Sequence, residues 1–186
     1  RAHGQVRFTN DLSRAFIDSM VVALKGQPER VPDLVVTVAR DAFPVHLEPF
    51  WSSCVLLQEW AAAHAGQPVD TARACATLDA VKGSSTREFI PAHHAFCGDI
   101  LRLVGDLAGA MATLEAGIAL AEQSLETWWL PELLRLRAAT RLAAEGNAGA
   151  AAAEADLRRA IALAESQSSP MLLERAAADL AALSDS

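Results

Sequence analysis

Two short stretches near the end of the chain decide the fold class, because each of them occurs twice. Gly117–Ser124 has the sequence GIALAEQS, and Ala160–Gln167, 43 residues later, has AIALAESQ. Arg137–Ala144 has RAATRLAA, and Arg175–Ala182, 38 residues later, has RAAADLAA. Two helical strings therefore alternate with a period of about 40 residues. Such a period predicts stacked helical hairpins, a solenoid whose curved surface typically binds rather than catalyses.

Helical periodicity continues along the rest of the chain and predicts about nine helices, with no strand-like alternation. One segment, 32–42, is rich in β-branched residues, but its initial proline and helical neighbours favour a helix over a strand by about two to one. The predicted helices run from about 12 to 23, 32 to 42, 47 to 65, 71 to 82, 91 to 104, 107 to 124, 131 to 145, 150 to 166 and 171 to 183. No break marks a domain boundary, so residues 1–186 are predicted to form one all-α domain.

Composition and charge limit the functions that need to be considered. The net charge of −7 gives no support to nucleic-acid or anionic-lipid binding, and no apolar run reaches the roughly 18 to 20 residues of a membrane span. Cys54, Cys75 and Cys97 are scattered, as expected for reduced thiols packed like small apolar residues. The chain starts at Arg1 with neither an initiator Met nor an apolar signal. We therefore expect a cytoplasmic fragment of a longer protein.

Small and large residues alternate at corresponding positions of the two helical repeats, which lets the helix backbones approach closely. Leu114 and Leu157 occupy equivalent positions and are both predicted to be buried. A turn at Gly105–Asp106 separates two helices, and Gly146 marks the next turn. The remaining members of the pattern are Gly98, Leu101, Ala110, Gly117, Ile118, Ala138, Ala139, Leu142, Ala153, Ala160, Ile161, Ala177 and Leu180.

This order of small residue, large residue and turn resembles the tetratricopeptide repeat, and GDLAGA at Gly105–Ala110 resembles its inter-helix turn. A more specific resemblance covers Glu122–Leu183 and is carried by Glu126–Ala138 (ETWWLPELLRLRA) and Leu172–Leu183 (LLERAAADLAAL). These stretches resemble the C-terminal repeat region of large bacterial regulators with a signal-transduction NTPase core. Some of those proteins carry an adenylate or guanylate cyclase domain or a LuxR-type helix-turn-helix. None of their catalytic motifs lies in this chain.

The resemblance implies a tetratricopeptide-like helical-hairpin solenoid that binds a partner protein, a small effector or its own NTPase core, and so gates an output domain. First-type helices line the concave face of such stacks. Equivalence with the repeat places the following residues at that groove: Ala95, Phe96, Asp99, Arg102 and Leu103, and one unit later Arg137, Thr140 and Ala144.

Two other function classes stay open. A small-molecule sensor would enclose a pocket between units, lined by Phe50, Trp51 and Trp60. A scaffold would instead self-associate, for example as a homodimer, to bring full-length copies together. An increase in melting temperature on ligand addition would identify the sensor. A molecular mass in solution that rises with protein concentration would identify the scaffold.

Catalytic, cofactor and metal sites find little support. His93, His94 and Cys97 form the best metal-like cluster, but no second ligand pair at metal spacing accompanies them, and core packing is favoured. Lys82 lacks the preceding glycines of a phosphate loop. The chain is therefore predicted to be no enzyme and to hold no metal or cofactor. Trp128–Trp129 is interpreted as a packing staple, and Arg141, Arg158, Arg159 and Arg175 as solvated helix faces.

Overall fold

The computed structural model describes residue 14 and residues 17–42, 48–82 and 89–185, and within them all regular structure is helical. The all-α prediction is confirmed for this part of the chain. Residues 17–24 are helical and are called α1. The following helices are Val31–Ala42 (α2), Glu48–His64 (α3), Thr71–Lys82 (α4), Ile90–Leu103 (α5), Leu107–Ser124 (α6), Leu130–Glu145 (α7), Ala150–Ser166 (α8) and Pro170–Ser184 (α9). Short 3₁₀ turns occupy Pro28–Arg30, Thr127–Trp129 and Gly146–Gly149.

These helices form two compact units, Arg1–Arg87 and Glu88–Ser186, where the sequence predicted one domain without an internal boundary. We call them the first and the second unit. For the helices after α1, each predicted end lies within one residue of the structural one. The beginning of the first predicted helix and the segments 43–47 and 83–88 lie outside the described residues.

In the first unit, α2 packs on α3 and α3 packs on α4. The β-branched segment forms a helix, as predicted, because Val31 and Val35 lie four residues apart on one helix face and are both fully buried. The carboxylate of Asp70 caps α4 by accepting a hydrogen bond from the backbone N–H of Arg73 at 2.9 Å. The side chains of Cys54 and Trp60 are buried in the same core.

In the second unit, every helix from α5 to α9 packs against the next one along the chain. In addition, α7 contacts both α5 and α9, so the alternate helices α5, α7 and α9 follow one another side by side. The predicted turn at Gly105–Asp106 is confirmed. Gly105 has a φ of +90°, which an L residue adopts only at a cost, and the Asp106 carboxylate accepts from Gly109 N–H at 2.9 Å to cap α6.

Small residues bring these helices together, as the repeat pattern predicted. Leu114 and Leu157 are confirmed as buried core residues of α6 and α8. A Cβ added at Gly98 would lie 2.6 Å from the Cγ of Leu114, so α5 and α6 touch at this point. In α9 the expectation of an inward-facing Ala177 was wrong. Ala176 is buried instead, because it continues the four-residue spacing that begins at Leu172.

We expect Gly98→Ala to destabilise the second unit by about 1–2 kcal/mol, because the new methyl group overpacks a fully buried leucine. This loss is expected to exceed the gain in helix propensity, which is about 1 kcal/mol. Urea denaturation would measure the change. A double variant with Leu114→Ala removes the clash, so the effect of Gly98→Ala should become neutral or stabilising in that background. An equal loss in both backgrounds would contradict the close contact.

Candidate functional site

An aromatic cluster joins the start of α5 to the start of α7. Trp129 is 1% exposed and packs edge-on against Phe96, with ring centroids 5.3 Å apart. Trp128 is partly exposed and contacts Phe89 in the same manner at 5.6 Å. The carboxylate of Glu126 accepts hydrogen bonds from Phe89 N–H and from the indole N–H of Trp128. The packing interpretation of Trp128–Trp129 is therefore confirmed for Trp129, while Trp128 retains an exposed face.

A buried carboxylate connects α7 to α9. Glu132 accepts from Arg135 at 2.8 and 2.9 Å and from Arg175 at 2.9 Å, and Arg135 reaches on to Asp179 at 2.7 Å. Burial alone raises the pKa of Glu132, but the two arginines outweigh it and hold this pKa below the ordinary value. The pKa of Arg135 is raised, since Glu132 and Asp179 outweigh the effect of its burial. These four side chains fix the position of α9 against α7.

A second ion cluster connects α7 to α8. Arg137 donates from Nε to Asp156 at 2.8 Å, and Arg141 lies 3.5 Å from the same carboxylate. The hydrogen bonds to Asp156 raise the pKa of Arg137, so this guanidinium stays charged. The interpretation of Arg141 and Arg175 as solvated was wrong, because both are partly buried by ion pairs between helices. Arg158 and Arg159 are exposed as predicted.

An open cleft of about 550 Å³ lies along α5, α7 and α9 in the second unit. Its apolar part is formed by alanine and leucine side chains, mostly of α7 and α9, and Arg102, Arg135 and Asp179 supply charged groups. The full lining consists of Arg102, Arg135, Ala138, Ala139, Leu142, Gly146, Asn147, Leu157, Asp179, Ala182 and Leu183. The cleft has an apolar floor and polar edges, which is the usual character of a binding site.

Of the groove residues predicted from the sequence, Arg102 lines this cleft. Asp99 is buried next to it, and Leu103 lies partly exposed at the end of α5. Phe96 is buried against Trp129, and Ala95 is buried as well. The other residues lie elsewhere: Thr140 is fully buried with its hydroxyl bonded to Leu136 O, Arg137 is paired with Asp156, and Ala144 is an exposed residue in the last turn of α7.

Arg102 is held in place by Asp99, which accepts from its Nε at 3.0 Å and from its Nη2 at 2.6 Å. Asp99 is only 4% exposed, so removing the arginine takes an ion-pair partner away from a buried carboxylate. Reversing the charge of Arg102 is therefore expected to destabilise α5 as well as to change the cleft.

Neighbouring histidines on α5 fill the interior of the second unit. His93 donates from Nδ1 to Phe89 O at 2.7 Å, and His94 from Nδ1 to Thr113 O at 2.9 Å. Cys97 is fully buried on the same helix. Among the described residues, no three His, Cys, Asp or Glu side chains come together in a way that would hold a metal ion.

We expect the stability of the chain to fall as the pH is lowered from about 6.5 to 4, in part because of His93. Burial lowers the pKa of His93 to about 4, whereas an unfolded histidine titrates near 6.5. Between these values the unfolded chain binds more protons, so the free energy of unfolding falls as the pH is lowered, by up to about 3 kcal/mol. The urea midpoint of unfolding should depend less steeply on pH in the His93→Asn variant than in the unmodified chain.

The control for this experiment is His64→Asn, since His64 is exposed. Its pH profile should follow that of the unmodified chain. A His93→Asn profile with the unmodified slope would mean that another group dominates the acid sensitivity.

Trp60 is the one residue predicted to line a sensor pocket whose side chain lies in the described part of the chain. Trp60 is 4% exposed and packs against His64, with ring centroids 4.2 Å apart. The side chains of Phe50 and Trp51 lie outside the described residues.

Sequence reasoning did not identify most of the cleft. Glu132 and Arg135 are spaced i, i+3 on one helix, a detectable signal for an ion pair. By contrast, Arg175 lies 43 residues from Glu132, and only the folded chain brings the two together.

Comparison of the chain with protein-family models, with curated proteins and with solved structures yielded no match in any of the three. No helix among the described residues is both long enough and apolar enough to cross a bilayer.

Proposed function

We propose that this chain is a non-catalytic repeat module that binds a segment of a partner protein in the cleft along α5, α7 and α9. The observation that carries the proposal is the cleft itself. It is open to solvent, has an apolar floor of alanine and leucine side chains, and is bordered by charged groups that ion pairs hold in place. Because these polar groups are already fixed in place, less side-chain entropy is lost when a ligand binds.

The helix packing supports a tetratricopeptide-like stack for the second unit. In this interpretation α5, α7 and α9 are first-type helices that form the concave layer, and α6 and α8 are second-type helices behind them. Contacts of α7 with both α5 and α9, together with the close approach at Gly98, support this assignment. The concave layer of such a stack is the surface that usually binds partners.

The proposed setting is a cytoplasmic bacterial signalling or transcription-regulating ATPase, possessing in some cases a cyclase domain. Its support is the resemblance of Glu126–Ala138 and Leu172–Leu183 to the repeat region of such regulators. The partner is then another protein or the NTPase core of the same protein. Binding would regulate output by favouring one of two states of that core. Purified chain is expected to show no ATP hydrolysis above a buffer control.

Blocking the cleft tests the proposed function. A displayed library of random peptides would be selected against the whole 186-residue chain, and the strongest peptide would be measured by fluorescence anisotropy. Ala182→Trp fills the cleft with a large side chain and should weaken this peptide at least tenfold, or about 1.4 kcal/mol.

The matched control is Ala178→Trp, at an exposed position of the same helix that does not line the cleft. This variant should bind within twofold of the unmodified chain, with an unchanged melting temperature. Equal affinities for the two variants, or a selection that yields no peptide, would contradict the proposed site. Light scattering on the same samples would reveal the alternative, a self-associating scaffold, as a mass that rises with concentration.

A further inference from the structure

We infer that the segment bound in the cleft is a basic peptide with apolar residues at its centre. The inference rests on the proposed function and specifies the chemistry of the partner. Three observations carry it: the distribution of charge between the two units, the internal pairing of the arginines of the second unit, and the exposed carboxylate at the edge of the cleft.

The net negative charge of the chain resides in its second unit. Residues 88–186 contain fourteen Asp and Glu against seven Arg and no Lys, which gives −7. Residues 1–87 contain nine acidic and nine basic residues, which gives zero. Surplus charge of one sign attracts partners of the opposite sign and accelerates their encounter. A cationic segment is therefore favoured over an anionic one at the second unit.

The arginines of the second unit already have carboxylate partners within the described residues. Arg102 pairs with Asp99, Arg135 with Glu132 and Asp179, and Arg175 with Glu132. The other four pair as follows: Arg137 and Arg141 with Asp156, Arg158 with Glu154, and Arg159 with Glu122. Of these seven arginines, Arg102 and Arg135 line the cleft. An acidic ligand would have to compete with these carboxylates, so the cleft is poorly suited to bind anions.

Arg102 nevertheless has a part in binding a peptide. Its Nε and Nη2 are used by Asp99, and Nη1 makes no hydrogen bond within the described part of the chain. Because Asp99 compensates the charge, this group is suited to donate to a neutral acceptor such as a peptide carbonyl. We assign Arg102 to the peptide backbone, not to an acidic side chain.

Asp179 provides the site for a cation. It is the one carboxylate among the residues lining the cleft, and its side chain is 41% exposed. Its Oδ2 accepts from Arg135 at 2.7 Å, whereas Oδ1 has no hydrogen-bond partner among the described residues. Ala138, Ala139 and Leu142 supply the adjoining apolar surface. A peptide with leucines over this floor and a lysine at Asp179 uses both features of the cleft.

The test measures three peptides that share a central Leu-Ala-Leu and are flanked by lysine, glutamine or glutamate. Fluorescence anisotropy with the whole chain at low and at physiological salt gives their affinities. We expect the lysine peptide to bind at least fivefold more tightly than the glutamine peptide, and the glutamate peptide to bind most weakly. Added salt should reduce the lysine advantage, because exposed charges are screened.

Two variants then locate the charge effect. Asp179→Asn should weaken the lysine peptide about fivefold and leave the glutamine peptide within twofold, while Arg135 keeps both hydrogen bonds to Glu132. Glu174→Gln removes the same charge from an exposed position of α9 outside the cleft, and should change either affinity less than twofold. The peptide series on the unmodified chain remains informative if Asp179→Asn unfolds.

Each outcome separates the inference from the proposed function. Binding that Ala182→Trp abolishes, but that favours glutamate or shows no charge preference, overturns the basic-peptide inference and retains the cleft. A lysine preference that is equally reduced by Asp179→Asn and Glu174→Gln assigns the effect to overall charge and overturns the role of Asp179. Binding of no peptide, or binding that Ala182→Trp leaves unchanged, contradicts the cleft itself and the inference with it.

Discussion

Leu157→Asp is expected to destabilise the second unit by about 3–5 kcal/mol, a large fraction of the roughly 5–15 kcal/mol that stabilises an ordinary domain. Leu157 is 1% exposed and packs against Ala138 and Ala153 between α7 and α8. The substitution places a carboxylate without a partner among apolar side chains, where an ionised group is strongly disfavoured. Urea denaturation followed by tryptophan fluorescence, to which Trp128 and Trp129 of this unit contribute, would measure the change.

The matched control is Leu125→Asp, which makes the same chemical change at a leucine that is 82% exposed. It should change the free energy of unfolding by less than about 1 kcal/mol. Similar midpoints for Leu157→Asp and the unmodified chain would show that the repeat alignment is wrong.

Glu132→Gln has the second largest expected effect, a loss of about 3 kcal/mol. The substitution removes the charge that Arg135 and Arg175 share and leaves both guanidinium groups partly buried without it. Breaking one partner of a buried ion pair typically costs about 3–5 kcal/mol. Thermal and urea unfolding should both show the loss, and it should persist at high salt, because buried pairs are weakly screened.

Glu154→Gln is the control for this prediction. Glu154 also pairs with an arginine, Arg158, but both side chains are well exposed. Glu154→Gln should therefore change the free energy of unfolding by at most about 0.5 kcal/mol. Equal effects of the two substitutions would mean that Glu132 does not anchor α9 to α7.

The repeat pattern predicted much of the second unit because it reflects local geometry. A helix face is set by residues three and four apart, so the inward positions of Leu114 and Leu157 follow from periodicity alone. The helix at 32–42 was predicted on other grounds, its initial proline and its helical neighbours, and the structure adds that Val31 and Val35 form its buried stripe. The position of Ala177 was wrong by one residue, which rotates a helical residue by about 100°.

The cleft depends on contacts that periodicity does not encode. The pairing of Glu132 with Arg175, and of Asp156 with Arg137, connects residues on different helices. Arg175 was interpreted from the sequence as solvated, and Arg137 was predicted to lie at the groove, but both are partly buried in these pairs. Arg102 was predicted to lie at the groove and lines the cleft, but the sequence did not reveal its bond to the buried Asp99. Knowledge of helix faces therefore predicted the fold class better than the site.

The most direct test of the central claim is the backbone-amide NMR spectrum of the chain titrated with the lysine-flanked peptide. If the cleft along α5, α7 and α9 is the binding site, the largest shift changes should occur at Arg102, Ala139, Leu142, Ala182 and Leu183. Amides on the outer faces of α6 and α8 should change little. Shift changes concentrated on α6 and α8, with the cleft residues unaffected at saturating peptide, would contradict the account.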